Sequence, residues 1–289
     1  MSSTINKCAA CGKEGGDSLK ACTACHMVKY CNRDCQISHR KQHKRACKKR
    51  AAELYDEKLF KEPPPPEECP LCMIPMPHTG QTTIESCCGK RICNGCIYAM
   101  EMSEGKDLCA FCRTPYAFST EEEIKRIKKL MDKGNSRAFN TLGFAYKRGD
   151  YGVPQDTEKA NELYLKAGEL GCAQGYYNLG NSYKDGTGVE VDMKKCKHYW
   201  ELAVMMGCVT ARHNLGCSEG AAGNEHRAMK HFMISANAGN VNSLNMVQKG
   251  FKRGLVTKEE YADTLRAYQK IKDEMKSEER DKAAREMQD

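Results

Sequence analysis

Fifteen of the chain's 19 cysteines fall within residues 8–112, mostly as C-x2-C pairs, and the chemistry open to that residue type at that spacing is metal ligation. A two-residue gap lets one short turn present two thiolates to a single ion, and zinc takes four such sulfur or nitrogen donors in a tetrahedron. The first block reads C-x2-C-x10-C-x2-C-x5-C-x3-C-x7-H-x3-C, with Cys8, Cys11, Cys22, Cys25, Cys31, Cys35, His43 and Cys47 as candidate ligands. His43 and Cys47 are four residues apart and share one face of a helix, as does the rival histidine His39. Eight ligands make two zinc sites, and binding at each contributes on the order of 10 kcal/mol toward folding. The second block reads C-x2-C-x14-C-C-x4-C-x2-C-x12-C-x2-C. It contains the pairs Cys69/Cys72, Cys93/Cys96 and Cys109/Cys112, with the doublet Cys87-Cys88 between the first two.

A length of 289 residues suggests two or three domains. No stretch approaches the apolar length needed to span a bilayer, and the start "MSSTINKC" lacks an apolar signal core. The expectation is a soluble protein of the cytoplasm or nucleus, where clustered cysteines bind metal rather than form disulfides. The formal charge of +8 falls to near +1 once four zinc ions and fifteen thiolates are counted, so basicity gives little support for a nucleic-acid partner. What remains is local. "RKQHKRACKKR", residues 40–50, carries seven Lys/Arg, read as a solvated helix face or, more sharply, as a nuclear-localisation or phosphate contact. No aromatic residues interleave it for base stacking.

The elements that must position these ligands follow from composition. Residues 8–47 hold few large apolar side chains and need a metal staple to fold. Residues 48–68 read as a charged, partly helical linker ending in Pro63-Pro64-Pro65-Pro66, an extended spacer of about 12 Å and a domain boundary. Residues 69–115 form the second cysteine-rich module. From residue 119 the pattern is helical: "STEEEIKRIKKLMDKGN" opens on capping residues and sets Ile124, Ile127, Leu130 and Met131 on one face. Thereafter Leu142-Gly143, Leu179-Gly180 and Leu215-Gly216 recur at 37 and 36 residues, and the second halves end at Gly171, Gly207 and Gly239. That period with two helical halves implies stacked helix pairs over 119–255, with units at about 136–171, 172–207 and 208–239. A final helix over 256–289, opening on a Thr257/Glu260 capping box, closes the stack. Tyr164 and Trp200 share one repeat position and read as core, and Cys172, Cys196 and Cys208 read as small buried residues. The fold class is therefore mainly α, two small zinc-binding modules followed by an α/α helical-repeat solenoid.

Three resemblances attach to these segments. "YCNRDCQ" followed by "HKRAC" in the first block resembles the MYND zinc finger. The resemblance implies cross-braced sites, Cys8, Cys11, Cys31 and Cys35 on one zinc and Cys22, Cys25, His43 and Cys47 on the other. It also implies a protein-interaction role, with Arg40 standing where the family often has tryptophan. The second block resembles a RING finger, which implies Cys69, Cys72, Cys93 and Cys96 on one zinc. Cys109 and Cys112 then need two more ligands from "ESCCGKRICNGC", residues 85–96. Lys90 stands in the usual histidine position, and an ammonium has no lone pair at neutral pH, so Cys87 and Cys88 are the better candidates, with His78 as a substitute for one of them. The recurring L-G, Y, G-x-G-V, K-A and G positions of residues 136–240 resemble Sel1-like repeats, relatives of the tetratricopeptide repeat. The third unit lacks the G-x-G-V turn.

The RING resemblance implies a surface for a ubiquitin-conjugating enzyme, matched here by Leu71, Met100, Arg113 and Pro115, while Ala110 replaces a common proline. The expected function is a zinc-binding scaffold with two zinc ions in each finger, acting as a RING-type ubiquitin ligase with protein substrates. The alternatives are a non-enzymatic adaptor and a nuclear regulator.

Overall fold

The computed structural model describes residues 6–77, 82–103 and 107–286, so His78 lies outside the described residues. The chain divides into two compact units between Lys61 and Glu62. In the first, β1 (Lys20–Ala21) pairs antiparallel with β2 (Lys29–Tyr30), and α1 (Arg33–Leu59) follows. The Asn32 side chain caps α1 by accepting a hydrogen bond from the Cys35 amide at 2.9 Å. Three of the five buried core residues, Cys8, Leu19, Cys22, Cys25 and Tyr30, are cysteines, so the ligands themselves form much of this core. The linker expected from residue 48 is not separate. Residues 48–59 contain no glycine or proline, and their Ala, Glu, Leu and Lys continue the helix unbroken to Leu59.

The second unit opens with the proline run, which is not the free spacer its composition implies. Pro64 packs at Gly207, where an added Cβ would lie 3.0 Å from Pro64 Cδ. Glu67 just beyond pairs with Arg91 and Arg137. The hairpin β3 (Thr82–Ile84) and β4 (Arg91–Cys93) leads directly into α2 (Asn94–Glu101). Next come α3 (Thr120–Asp132), α4 (Ser136–Arg148), α5 (Thr157–Glu169), α6 (Ala173–Asp185), α7 (Met193–Met205), α8 (Val209–Ala221), α9 (Glu225–Asn237) and α10 (Val241–Lys252). The helices pair as α4/α5, α6/α7 and α8/α9, each pair stacking on the next. No helix of the described residues is long and apolar enough to cross a membrane.

The Leu-Gly recurrence has a steric cause. A Cβ at Gly143 would lie 2.9 Å from a Tyr164 ring carbon, at Gly180 2.5 Å from Trp200 Cδ1, and at Gly216 2.6 Å from Phe232 Cε1. In each repeat the first helix thus offers a bare backbone against which the aromatic ring of the second helix packs closely, and all three rings are buried. The equivalent Ala160, Cys196 and Ala228 are also fully packed. Cys172 and Cys208 are partly buried N-cap residues of α6 and α8, their thiols raised by burial.

The single C-terminal helix expected over 256–289 is two. Helix α11 (Lys258–Glu274), opened by the Thr257/Glu260 capping box, ends near Met275, and α12 (Glu278–Glu286) starts afresh after Ser277, whose hydroxyl accepts from the Arg280 amide at 3.2 Å. α12 packs against α2 of the cysteine-rich module.

Alanine is a better helix former than glycine by about 1 kcal/mol, whereas overpacking a core costs about 1–3 kcal/mol. At Gly180 the clash with Trp200 outweighs propensity, so Gly180→Ala should lower the Tm. At Gly220, where a Cβ would meet only the Ala228 methyl at 3.7 Å, Gly220→Ala should hold or raise it. Thermal unfolding of the two variants side by side checks both signs.

Candidate metal centres

Five copies of one turn present ten of the sixteen candidate ligands, and the rest lie at or on α1 and across the β4–α2 junction. Each copy starts at a residue whose carbonyl accepts from the amide four residues on, and whose own amide donates to a carbonyl five or six residues on. The amide–carbonyl pairs are Gly12–Cys8, His26–Cys22, Met73–Cys69, Gly89–Glu85 and Arg113–Cys109, at 2.7–3.0 Å. The fifth position of every copy is left-handed, with φ of 73° at Gly12, 54° at His26, 55° at Met73, 74° at Gly89 and 56° at Arg113. In four copies the first and fourth positions are both cysteines. In the copy at 85–90 the fourth is Cys88 but the first is Glu85, and the doublet follows from this: Cys87 supplies the thiolate that the turn's first position lacks. "CAACG" at 8–12 beside "ESCCG" at 85–89 carries that signal in sequence.

The structure gathers the ligands into four groups: Cys8, Cys11, Cys31 and Cys35; Cys22, Cys25, His43 and Cys47; Cys69, Cys72, Cys93 and Cys96; and Cys87, Cys88, Cys109 and Cys112. Within each group the donor atoms lie within 4.8 Å of one another. A tetrahedron with Zn–S bonds of about 2.3 Å has edges of about 3.8 Å. The sulfur separations are 3.7 Å for Cys11–Cys31, Cys22–Cys47 and Cys69–Cys96, 3.8 Å for Cys72–Cys93 and Cys88–Cys109, and shorter, 3.4 Å for Cys31–Cys35 and 3.3 Å for Cys87–Cys112. Cys25 Sγ lies 3.2 Å from His43 Nε2. The donor sets and their edges therefore fit zinc. His39 is turned to the Tyr30 hydroxyl at 3.1 Å and stacks on His43, supporting its ring without joining the group. Lys90 is not a donor either; its ammonium sits 4.6 Å over the Phe111 ring.

Without a cation these groups cannot all ionise. The Cys8 thiol is lowered to about 6 by the amides of Cys11 and Cys31, while Cys35 is held up to about 12 by its hydrogen bond to Cys31. In the fourth group Cys112 is lowered to about 6 by Thr114, and Cys87 is raised by burial and by Cys112 and Cys109. Buried Glu85, beside Cys109, is raised by desolvation. Zinc requires every thiol as thiolate, so uptake at pH 7 releases protons and weakens as pH falls.

Leu71 is 39 % exposed and Arg113 and Pro115 are exposed, the Pro115 carbonyl accepting from Arg126 at 2.7 Å. Met100 is instead partly buried against the module's core beside Ile97 and Phe111.

The MYND finger family matches residues 8–47, and the Sel1 repeat family matches residues 141–172, 173–208 and 209–240. The chain thus contains a MYND zinc finger and three Sel1 repeats, with further cysteine clusters of zinc-binding type between them. Over 100 residues it is 31% identical to the Arabidopsis thaliana "ERAD-associated E3 ubiquitin-protein ligase component HRD3B", covering 33% of this chain and 16% of that protein. Over 96 residues it is 31% identical to an uncharacterized protein of Neisseria meningitidis, covering 33% of this chain and 20% of that one. The chain therefore spans no more than a fifth of either relative's own length. Among solved structures it is similar to a Sel1 repeat protein from Oxalobacter formigenes, at 25% identity and a TM-score of 0.45 over 52% of this chain and 64% of that one. It is also similar to the protective antigen c5321 of uropathogenic Escherichia coli, at 24% identity and a TM-score of 0.48 over 61% of this chain and 36% of that one.

If the doublet acts as the turn geometry indicates, the full chain should carry four zinc ions by elemental analysis. Cys87→Ser and Cys88→Ser should each lower that count, and Glu85→Gln should leave it unchanged. A full count in both cysteine variants would contradict the assignment of the fourth group.

Proposed function

We propose that this protein, a zinc-binding protein-interaction scaffold with two zinc ions in each finger, acts in the cytoplasm or nucleus as a RING-type ubiquitin ligase. The second finger recruits a charged conjugating enzyme, while the MYND finger and the repeats hold the substrate. The observation that carries this reading is the interleaving of the third and fourth cysteine groups. Pair 69/72 joins pair 93/96 across pair 87/88, and pair 87/88 joins pair 109/112 across pair 93/96, so two metal ions would brace one hairpin, one helix and two loops. The two loops bring Leu71 and Arg113 to the surface, as a docking face requires. Such a module needs no covalent chemistry of its own; it accelerates transfer by restricting the thioester to reactive geometry. That a relative in part of its length is a ligase component agrees with this setting.

A second reading has its own observation. Met100 packs into the finger's core instead of lying open, which removes one contact from the enzyme-facing surface and favours an adaptor that holds proteins together without transfer.

Single-turnover discharge of ubiquitin from a panel of charged conjugating enzymes onto free lysine separates the two. With one enzyme of the panel the zinc-loaded chain should speed discharge by at least about ten-fold, a small part of what positioning can supply. Leu71→Ala, at an exposed position, should abolish the gain without lowering the Tm. No acceleration by any enzyme leaves the adaptor.

A further inference from the structure

The Arg280 side chain, on the C-terminal helix α12, enters the first zinc loop of the second finger, more than 200 residues away in sequence. Its Nη2 donates to Cys72 Sγ at 3.7 Å and to the Ile74 carbonyl at 3.1 Å. Its Nη1 donates to the Pro75 carbonyl at 2.7 Å and to the Met275 carbonyl, at the end of α11, at 2.8 Å. One guanidinium thus ties together a ligand sulfur, the strand leaving the ligand turn and the junction between the last two helices. Contact also runs through the backbone. A Cβ on Gly95, between the ligands Cys93 and Cys96, would lie 2.7 Å from the Arg280 amide nitrogen.

A zinc ion held by four thiolates carries a net charge of −2, and such a charge under partial burial calls for hydrogen-bond donors or a cation beside the sulfurs. Arg280 brings both, in the planar fork suited to several acceptors at once. It is half-buried, and its guanidinium stays protonated at every accessible pH, so the side chain enters the site as a cation. Gly95 marks the side of α2 that faces α12, and Met100, five residues along, lies about 140° around the helix from it. With the helix docked, Leu71 and Arg113 are still exposed.

We propose that Arg280 is a positioning residue of the Cys69/Cys72/Cys93/Cys96 zinc centre, and that the docking of the C-terminal helix is thermodynamically linked to occupancy of that centre. The linkage is reciprocal. Whatever factor the docked helix adds to zinc affinity, zinc adds to the docking of the helix. The metal state of the finger thereby sets whether residues 278–286 are folded against it or open to a protease or a partner. This holds whether or not the finger recruits a conjugating enzyme.

The test uses the full zinc-loaded chain and two readouts. Zinc transfer to the chelator 4-(2-pyridylazo)resorcinol follows each ion, and limited trypsin digestion follows the C-terminal helix. Arg280→Gln, which removes the charged guanidinium, should loosen one zinc about 10–100-fold and leave the other three unchanged, the range for loss of a group that orients metal ligands. Arg280→Lys should recover part of that loss, which a purely packing role would not produce. Gly95→Ala, which displaces the helix while keeping the arginine, should loosen the same zinc and expose the C-terminal helix to trypsin. In the unaltered chain, removing zinc with the chelator should expose it likewise. Four unchanged zinc-transfer phases in Arg280→Gln, or equal loss in Arg280→Lys and Arg280→Gln, overturns the positioning role. A C-terminal helix no more cleavable after zinc removal overturns the linkage.

Discussion

Four thiols brought within 4.8 Å of one another can all ionise only around a cation, and both cysteine-rich modules depend on that constraint. Neither module has enough apolar surface to fold on burial alone; in the first, cysteines make up most of the buried core. The metal therefore supplies the charge balance and the folding energy at once. Where sulfurs are this close, second-rank interactions matter as well: the amides of the ligand turns, Thr114 beside Cys112 and the guanidinium of Arg280 beside Cys72 all meet charge that zinc leaves uncompensated.

The helical part of the second unit rests on a different constraint, close approach of backbone to ring. Gly143, Gly180 and Gly216 let Tyr164, Trp200 and Phe232 lie directly on the preceding helix, and the aromatic is exchanged between repeats while the glycine is not. The stack thus tolerates three different rings because each contacts a surface with no side chain of its own to match. Buried Glu219 shows the same stack accommodating a charge. It is satisfied by Lys197 at 2.6 Å and Asn224 at 2.7 Å, which outweigh burial and lower its pKa. Its contribution to stability is present above the ordinary carboxylate range and fades as the pH falls through it.

Most ligands were legible because C-x2-C is a local turn whose geometry belongs to the tetrapeptide itself, and Lys90 could be set aside by its chemistry. The repeat was legible because its period is carried by glycine and aromatic residues that each contact only a neighbouring helix. Less visible was Glu85, which holds the first position of a ligand turn without supplying a thiolate. The choice of His43 over His39 also depended on more than helical spacing, since both share a face and the Tyr30 hydroxyl takes one of them.

The sequence by itself determined which cysteine pairs are candidate metal ligands, where the repeats lie and where most helices begin, because these are set by side-chain chemistry and by contacts within a turn or a helix pair. Only the tertiary structure decided that the proline run lies against the repeats at Gly207 and that α12 returns to Cys72. Those outcomes depend on distances between segments up to 208 residues apart, and no local preference encodes such a distance. It emerges only when all the helices between have stacked and fixed where the last one points.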